Sequence, residues 1–155
     1  MYTAEDIINE KGIDIIYTDP ESTVADALKI MLENKIGAIV IKDNDEIVGI
    51  WTERDLMRNV VTEGFFSKTS KIKDHMSTDL KKAFHDESIF ALKDKFLGKR
   101  IRHLFIEKEG KVIGLLSTGD IIKTSLNEKT KELEDLHAIV KFDYYENWKF
   151  SRKKK

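Results

Sequence analysis

The chain has no cysteine, a single proline (Pro20) and no dominant sign of charge across its 155 residues. The first absence removes disulfides and thiolate chemistry. The third, a formal net charge of −1, disfavours a nucleic-acid binder that relies on phosphate neutralisation and names no other partner class. No apolar run approaches the roughly 18 residues needed to span a bilayer. Met1 to Asp6 carries no basic segment leading into an apolar core, so a cytoplasmic location without membrane association is the expectation. Also missing are a Walker A loop, a G-x-G-x-x-G fingerprint and a G-x-S-x-G turn. His75, His85, His103 and His137 lack metal-ligand spacing such as H-x-x-x-H. The expectation is a protein that is not an enzyme, with no metal and no catalytic residues. What is present, 41% hydrophobic and 35% charged residues, suits one compact domain, for which roughly 100 to 200 residues is usual.

The informative feature is an internal repeat. An offset of 65 residues carries Gly49, Thr52 and Asp55 onto Gly114, Ser117 and Asp120, and also aligns Val24 with Ile89, Met31 with Phe96, Ile36 with Ile101 and Ile41 with Ile106. Two similar units of this size are expected to bury their apolar faces against one another.

Within the first copy, Ile13 to Tyr17 reads as a strand stopped by Asp19-Pro20-Glu21-Ser22. Thr23 then caps a helix, Asp26 can complete a capping box, and Val24, Ala27, Leu28, Met31 and Leu32 form its apolar face. Gly37–Ile41 and Ile47–Trp51 read as a hairpin about Asp43-Asn44-Asp45, followed by a helix from Glu53. The second copy repeats the order: Lys81–Phe84 as a strand, Ser88–Leu97 as a helix, and Ile101–Ile106 with Val112–Leu116 as a hairpin about Glu109-Gly110. The predicted fold is α/β (α+β), two β-α-β-β-α repeats at 5–62 and 76–125 joined by a connector at 63–75, with Phe65 and Phe66 tucked against the core. A C-terminal helical extension, 126–155, carries Ile122, Leu126, Leu133, Leu136 and Val140 near heptad spacing, interrupted by Lys129. Its aromatics Phe142, Tyr144, Tyr145, Trp148 and Phe150 precede the basic tail from Ser151, and either pack back on a dimer, dock a protein partner or touch nucleic acid.

The segment from Asp19 to Ala27, the run Arg100-Ile101-Arg102-His103-Leu104-Phe105-Ile106 and the two glycine stretches resemble a tandem cystathionine-beta-synthase (CBS) domain pair, or Bateman module, over about residues 5 to 125. The resemblance implies a regulatory, signal-transducing protein. Such a pair binds an adenine nucleotide or adenosyl compound (AMP, ADP, ATP or S-adenosylmethionine) between its repeats, forms homodimers and alters a partner interaction. The alternative is a scaffold or dimerisation protein without ligand.

Chemistry gives the spacing two readings. Thr52 with Asp55, and Ser117 with Asp120, place a hydroxyl and a carboxylate close enough to hold ribose hydroxyls. The same residues also make good helix caps. By resemblance, Arg102 serves the cleft of Ser117 and Asp120, with Lys35 reaching from the other repeat, while Lys99 and Arg100 face the cleft of Thr52 and Asp55; a solvated basic strand edge is the competing reading. Ile50, Leu115 and Phe105 are the adenine-pocket candidates, core packing being the commoner use of an aromatic such as Phe105.

Overall fold

The computed structural model describes the backbone of residues 1–151 and the side chains of residues 1–139, and it places the two copies in matching β-α-β-β-α units. In the first, β1 (Tyr17–Thr18) pairs parallel with β2 (Ala38–Asp43), and β2 pairs antiparallel with β3 (Glu46–Thr52). In the second, β4 (Lys82–Phe84) pairs parallel with β5 (His103–Lys108), which pairs antiparallel with β6 (Lys111–Ser117). The repeat extends to register: Ile41 opposes Gly49 and Ile106 opposes Gly114, and each hairpin shifts register immediately afterwards. Helices α2 (Val24–Asn34) and α4 (Ile89–Gly98) follow the parallel strands, while α3 (Glu53–Asn59) and α5 (Thr118–Ser151) leave the hairpins.

Local signals account for the helix boundaries. The Thr23 hydroxyl accepts the Asp26 N–H, and the Ser88 hydroxyl accepts the Ala91 N–H, satisfying donors that a helix start leaves free. The Asp26 side chain does not complete the expected box. At the other end, Lys35 caps α2 in the left-handed region (φ 53°), and Arg100 takes the same conformation just past α4 (φ 50°). Apolar spacing buries Val24, Ala27 and Met31 on α2, and Ile89, Leu92 and Phe96 on α4. Leu32, expected on the buried face, is 76% exposed, as is its counterpart Leu97 at 77%.

Each sheet has its own core, contrary to the expectation that the copies bury their apolar faces only against one another. The first gathers Ile39, Ile41 and Trp51 with α2, and the second Leu104, Ile106 and Leu116 with α4. Alternation along the strands sends Val40 and Phe105 to the opposite sheet faces, where both are closed from solvent. Their register neighbours Tyr17 and Lys82 line a cavity of about 850 Å³ bounded by both hairpins. Val40 and Phe105 belong to neither of the two cores. Phe105, a candidate for stacking on adenine, is closed from solvent.

What completes each core was not foreseen. The segment before the first strand is a helix, α1 (Ala4–Lys11), with a full Thr3–Asp6 capping box, and it docks on the second sheet. Ala4 N–H and Glu5 N–H donate to Glu87 and His85 carbonyls, and Ala4 and Ile7 are buried in the second core. The connector does the same for the first sheet: Ile72 N–H and Lys73 N–H donate to Ser22 and Pro20, and Ile72, with Met76 just beyond the connector, joins the first core. Phe65 packs there as expected, whereas Phe66 is exposed. Docking explains the strand glycines: a Cβ on Gly49 would meet Met76 Sδ at 2.3 Å, and one on Gly114 would meet Ile8 Cδ1 at 2.3 Å. The strand expected over Ile13–Tyr17 contracts to Tyr17–Thr18, because the chain is leaving α1 through Gly12 in the left-handed region.

The C-terminal extension is continuous helix, α5 running from Thr118 to Ser151. Ile121 is buried in the second core, while Ile122, Leu126, Leu133 and Leu136 are exposed. The side chains of Val140 and of the aromatic run, and the whole of the tail beyond Ser151, lie outside the described residues.

Candidate functional site

At the start of α3, the Thr52 N–H and hydroxyl both donate to Asp55 Oδ2, at 2.9 and 3.0 Å, and the Asp55 N–H donates back to the hydroxyl at 3.3 Å. At the start of α5, Ser117 N–H and hydroxyl donate to Asp120 Oδ2 at 2.7 and 2.8 Å, and Asp120 N–H returns a bond of 3.3 Å. The motif is thus a complete capping box in both copies. Each hydroxyl accepts one bond and donates one within the box, so what remains for a ligand is chiefly the second carboxylate oxygen. Asp55 and Asp120 side chains are 17% and 20% exposed. Asp55 Oδ1 has Arg58 Nη1 at 3.4 Å, and Asp120 Oδ1 has no hydrogen-bond partner among the described residues.

The two motifs meet across the repeat boundary. A cavity of about 310 Å³ is lined by Gly37, Thr52, Glu53 and Arg54 from the first repeat and by Arg102, His103, Ser117, Thr118 and Gly119 from the second. Backbone bonds tie its walls together: Glu53 N–H donates to the Gly37 carbonyl at 3.0 Å, and Thr118 N–H to the Arg102 carbonyl at 3.1 Å. At these matched positions the copies differ in charge. The Glu53 carboxylate lies over Gly37, where a Cβ would sit 3.2 Å from it, whereas the second copy offers Arg102 beside Thr118. An adjoining cavity of about 460 Å³ is lined by Arg54, Phe96, Leu97, Arg100, Ile101, Arg102 and Thr118.

The sequence candidates divide accordingly. Arg102 faces both cavities, and Arg100 faces the adjoining one together with Arg54 of the first repeat. Lys35 and Lys99 are exposed helix-end residues that line neither. Ile50 and Leu115 are half-buried on the strands leading to the boxes. Asp55 and Asp120 are not among the residues that line the 310 Å³ cavity.

Four participants escaped the sequence reading: Arg54, Glu53, His103 and Lys11. The first two sit between the residues of the Thr52–Asp55 spacing, so adjacency to that motif was their available signal. His103 enters the sequence reading through metal-ligand spacing and as part of the run Arg100–Ile106. Burial, reinforced by Lys11, pushes its imidazole below the ordinary histidine range, Asp120 opposing, so it is neutral at neutral pH. Lys11 Nζ donates to Asp120 Oδ2 at 2.9 Å and to the Leu115 carbonyl at 3.0 Å. Burial of Asp120 disfavours its charge, but the Lys11 ammonium and the Ser117 N–H and hydroxyl outweigh it and hold the carboxyl below the usual aspartate range. No group of acidic and histidine side chains arranged to hold a metal occurs among the described residues, and none of their helices is long and apolar enough to cross a membrane.

Comparison with known proteins identifies the family. The CBS domain model matches residues 4–62 and 72–127, and the chain belongs to the CBS-domain family as a tandem pair. It is 29% identical over 151 residues to the CBS domain-containing protein CBSX3, mitochondrial, of Arabidopsis thaliana, covering 92% of this chain and 73% of that one. The CBS-domain containing protein ATU1752 of Agrobacterium tumefaciens superimposes with a TM-score of 0.75 at 30% identity, over 80% of this chain and 99% of that one. The CBS domain protein PAE2072 of Pyrobaculum aerophilum, solved in complex with AMP, shares the fold at a TM-score of 0.65 and 16% identity, over 77% and 89% of the two chains.

Proposed function

We propose that this CBS pair is a non-catalytic regulatory module of the cytoplasm that binds an adenosyl ligand, AMP, ADP, ATP or S-adenosylmethionine, between its repeats. Binding changes the affinity of a homodimer for a protein partner. The observation that carries this reading is the recurrence, at both hairpin-to-helix junctions, of a half-buried carboxylate with one oxygen spent on the cap. The other oxygen has the chemistry to accept from a ribose diol. Arg54, Arg100 and Arg102 supply donors for phosphate around the shared cavities. A ligand touching both repeats would favour whichever arrangement of them binds it better, and that differential affinity is the means of signalling. The AMP complex of PAE2072 supports the ligand class at the level of a shared fold.

One observation favours a scaffold without ligand instead. The capping hydroxyls already donate and accept within the cap in both copies, so helix capping alone accounts for the motif. Isothermal titration with AMP, ATP and S-adenosylmethionine separates the readings. Saturable binding is expected for the parent and should vanish in a folded Asp55→Ala, Asp120→Ala double variant. A parent that takes none of the three supports the scaffold.

A further inference from the structure

Helix α5 outruns the body it starts from. Among the described residues, the last one along it that hydrogen-bonds another element is Glu128, whose Oε1 accepts the Tyr2 N–H at 3.3 Å. All of residues 129–139 are exposed, Leu133, Leu136 and Ile139 included. A helix standing alone in water gains nothing from its apolar side, since most helical stability in proteins comes from packing that side. The run Glu132-Leu133-Glu134-Asp135-Leu136, three carboxylates beside two leucines, therefore calls for a cover.

The 460 Å³ cavity has the complementary chemistry. Its lining includes Arg54, Arg100 and Arg102, none of which makes an ion pair among the described residues, together with the exposed Leu97 and no carboxylate. The positions related to the three arginines by the 65-residue offset hold Gly119, Lys35 and Gly37, so this cluster of guanidiniums is a feature of one side of the chain and not of the repeat. Three cations beside an exposed leucine suit carboxylates beside leucines.

The same chain cannot deliver that run to its own cavity. Thr118 opens α5 and lines the cavity, and Glu132 lies about 21 Å further along the continuous helix at 1.5 Å per residue. A second copy can deliver it. Thr118, Ile122 and Leu126 follow one another at four-residue spacing, so the cavity wall continues into the exposed apolar stripe of α5. Two α5 helices laid antiparallel, with Ile122 of one opposite Leu133 of the other, set Thr118 opposite His137, Gly119 opposite Leu136 and Lys123 opposite Glu132. Parallel helices would set the acidic run against its own like charges and leave the arginines without a partner.

We propose that two copies of this chain pair through antiparallel α5 helices, each lodging its 132–136 run against the arginine cavity of the other. The arrangement is two-fold, so one interface fills both cavities. The proposal rests on the homodimer in the reading above and adds its direction and the carboxylates that the second copy contributes. Arg54 and Arg102 also line the 310 Å³ cavity, so a bound phosphate and those carboxylates draw on the same guanidiniums.

The chain has no cysteine, so single introduced cysteines take a spin label without background. Pulsed electron paramagnetic resonance on a mixture of labelled Leu97→Cys and labelled His137→Cys chains should add an interchain separation below about 20 Å, whereas labelled His137→Cys alone should give about 30 Å, its two positions standing at opposite ends of the overlap. A His137→Cys separation below about 20 Å means parallel helices and overturns the proposal, as does a mixture without the short separation. Sedimentation reads the charges independently. Arg100→Glu with Arg102→Glu should weaken the dimer about tenfold, and adding Glu132→Lys and Asp135→Lys to the same chain should restore it to within about threefold of the parent. No weakening, or no recovery in a chain of unchanged helicity, overturns the proposal while leaving a homodimer in place. A parent that is monomeric at roughly tens of micromolar removes the homodimer itself and this pairing with it.

Discussion

At the scale of single residues, the titrating groups with the clearest consequence are His103 and Asp120, which belong to one electrostatic neighbourhood with Lys11. His103 is held below its ordinary value of 6.5 by burial first and by Lys11 second. As pH falls past that value the unfolded chain takes up a proton that the folded imidazole refuses, so stability should decline from about pH 6.5 downward until the folded group titrates. Asp120 titrates below its ordinary 3.8, so a second loss should follow as pH falls through that value and below it. Glu5, held low by Lys108 with a smaller contribution from His85, and Asp6, held low by Thr3, share this acid limb. Urea midpoints measured from pH 8 to 3 should therefore show two descents. His103→Gln should abolish the upper one, and Asp120→Asn should shrink the lower one without abolishing it. A midpoint independent of pH between 7 and 5 would contradict the placement of His103.

At the scale of elements, what distinguishes the fold is that each sheet is finished by a segment outside its own β-α-β-β-α run. Ile7 is buried on α1, and complete burial of such a side chain is worth roughly 1.5–3 kcal/mol, so α1 docking is a substantial part of the second core. Gly114 permits that docking, since any side chain there meets three atoms of Ile8 within 2.9 Å. Gly114→Ala should cost about 1–3 kcal/mol in chemical denaturation, the range for overpacking a filled site, and should raise hydrogen exchange in α1. Gly49→Ala should cost less, because the colliding atoms belong to Met76, an unbranched side chain with more ways to move aside. Equal costs, or unaltered exchange in α1, would show that the strand glycines serve another purpose.

At the scale of the whole molecule, the apolar surface left uncovered is concentrated on helices. Met57, Val60 and Val61 are exposed on α3 and just beyond it, and Ile122, Leu126, Leu133 and Leu136 along α5. Patches of this kind mark association surfaces in soluble proteins, which supports the homodimer in the proposed function. Sedimentation should find a dimer for the parent and a monomer for a Leu126→Glu, Leu133→Glu variant of unchanged helicity. A parent that sediments as a monomer at tens of micromolar, the order expected to populate a micromolar dimer, would remove the homodimer from that function.

The sequence by itself determined the repeat, the order of strands and helices within it and the residues of both capping boxes. Each of these depends on local pattern: a fixed 65-residue offset, alternation in strands, and a hydroxyl three residues before a carboxylate. Phe105 shows where that stops. Its aromatic side chain suited either a ligand or a core, and only the tertiary fold closes it from solvent. Lys11 shows it more sharply. It lies 109 positions from Asp120 in a segment that carries no motif, and it reaches the carboxylate because α1 crosses to finish the second sheet. Capping is a bond between near neighbours and can be read along the chain, whereas charge neutralisation depends on distance in space, which the tertiary fold alone decides.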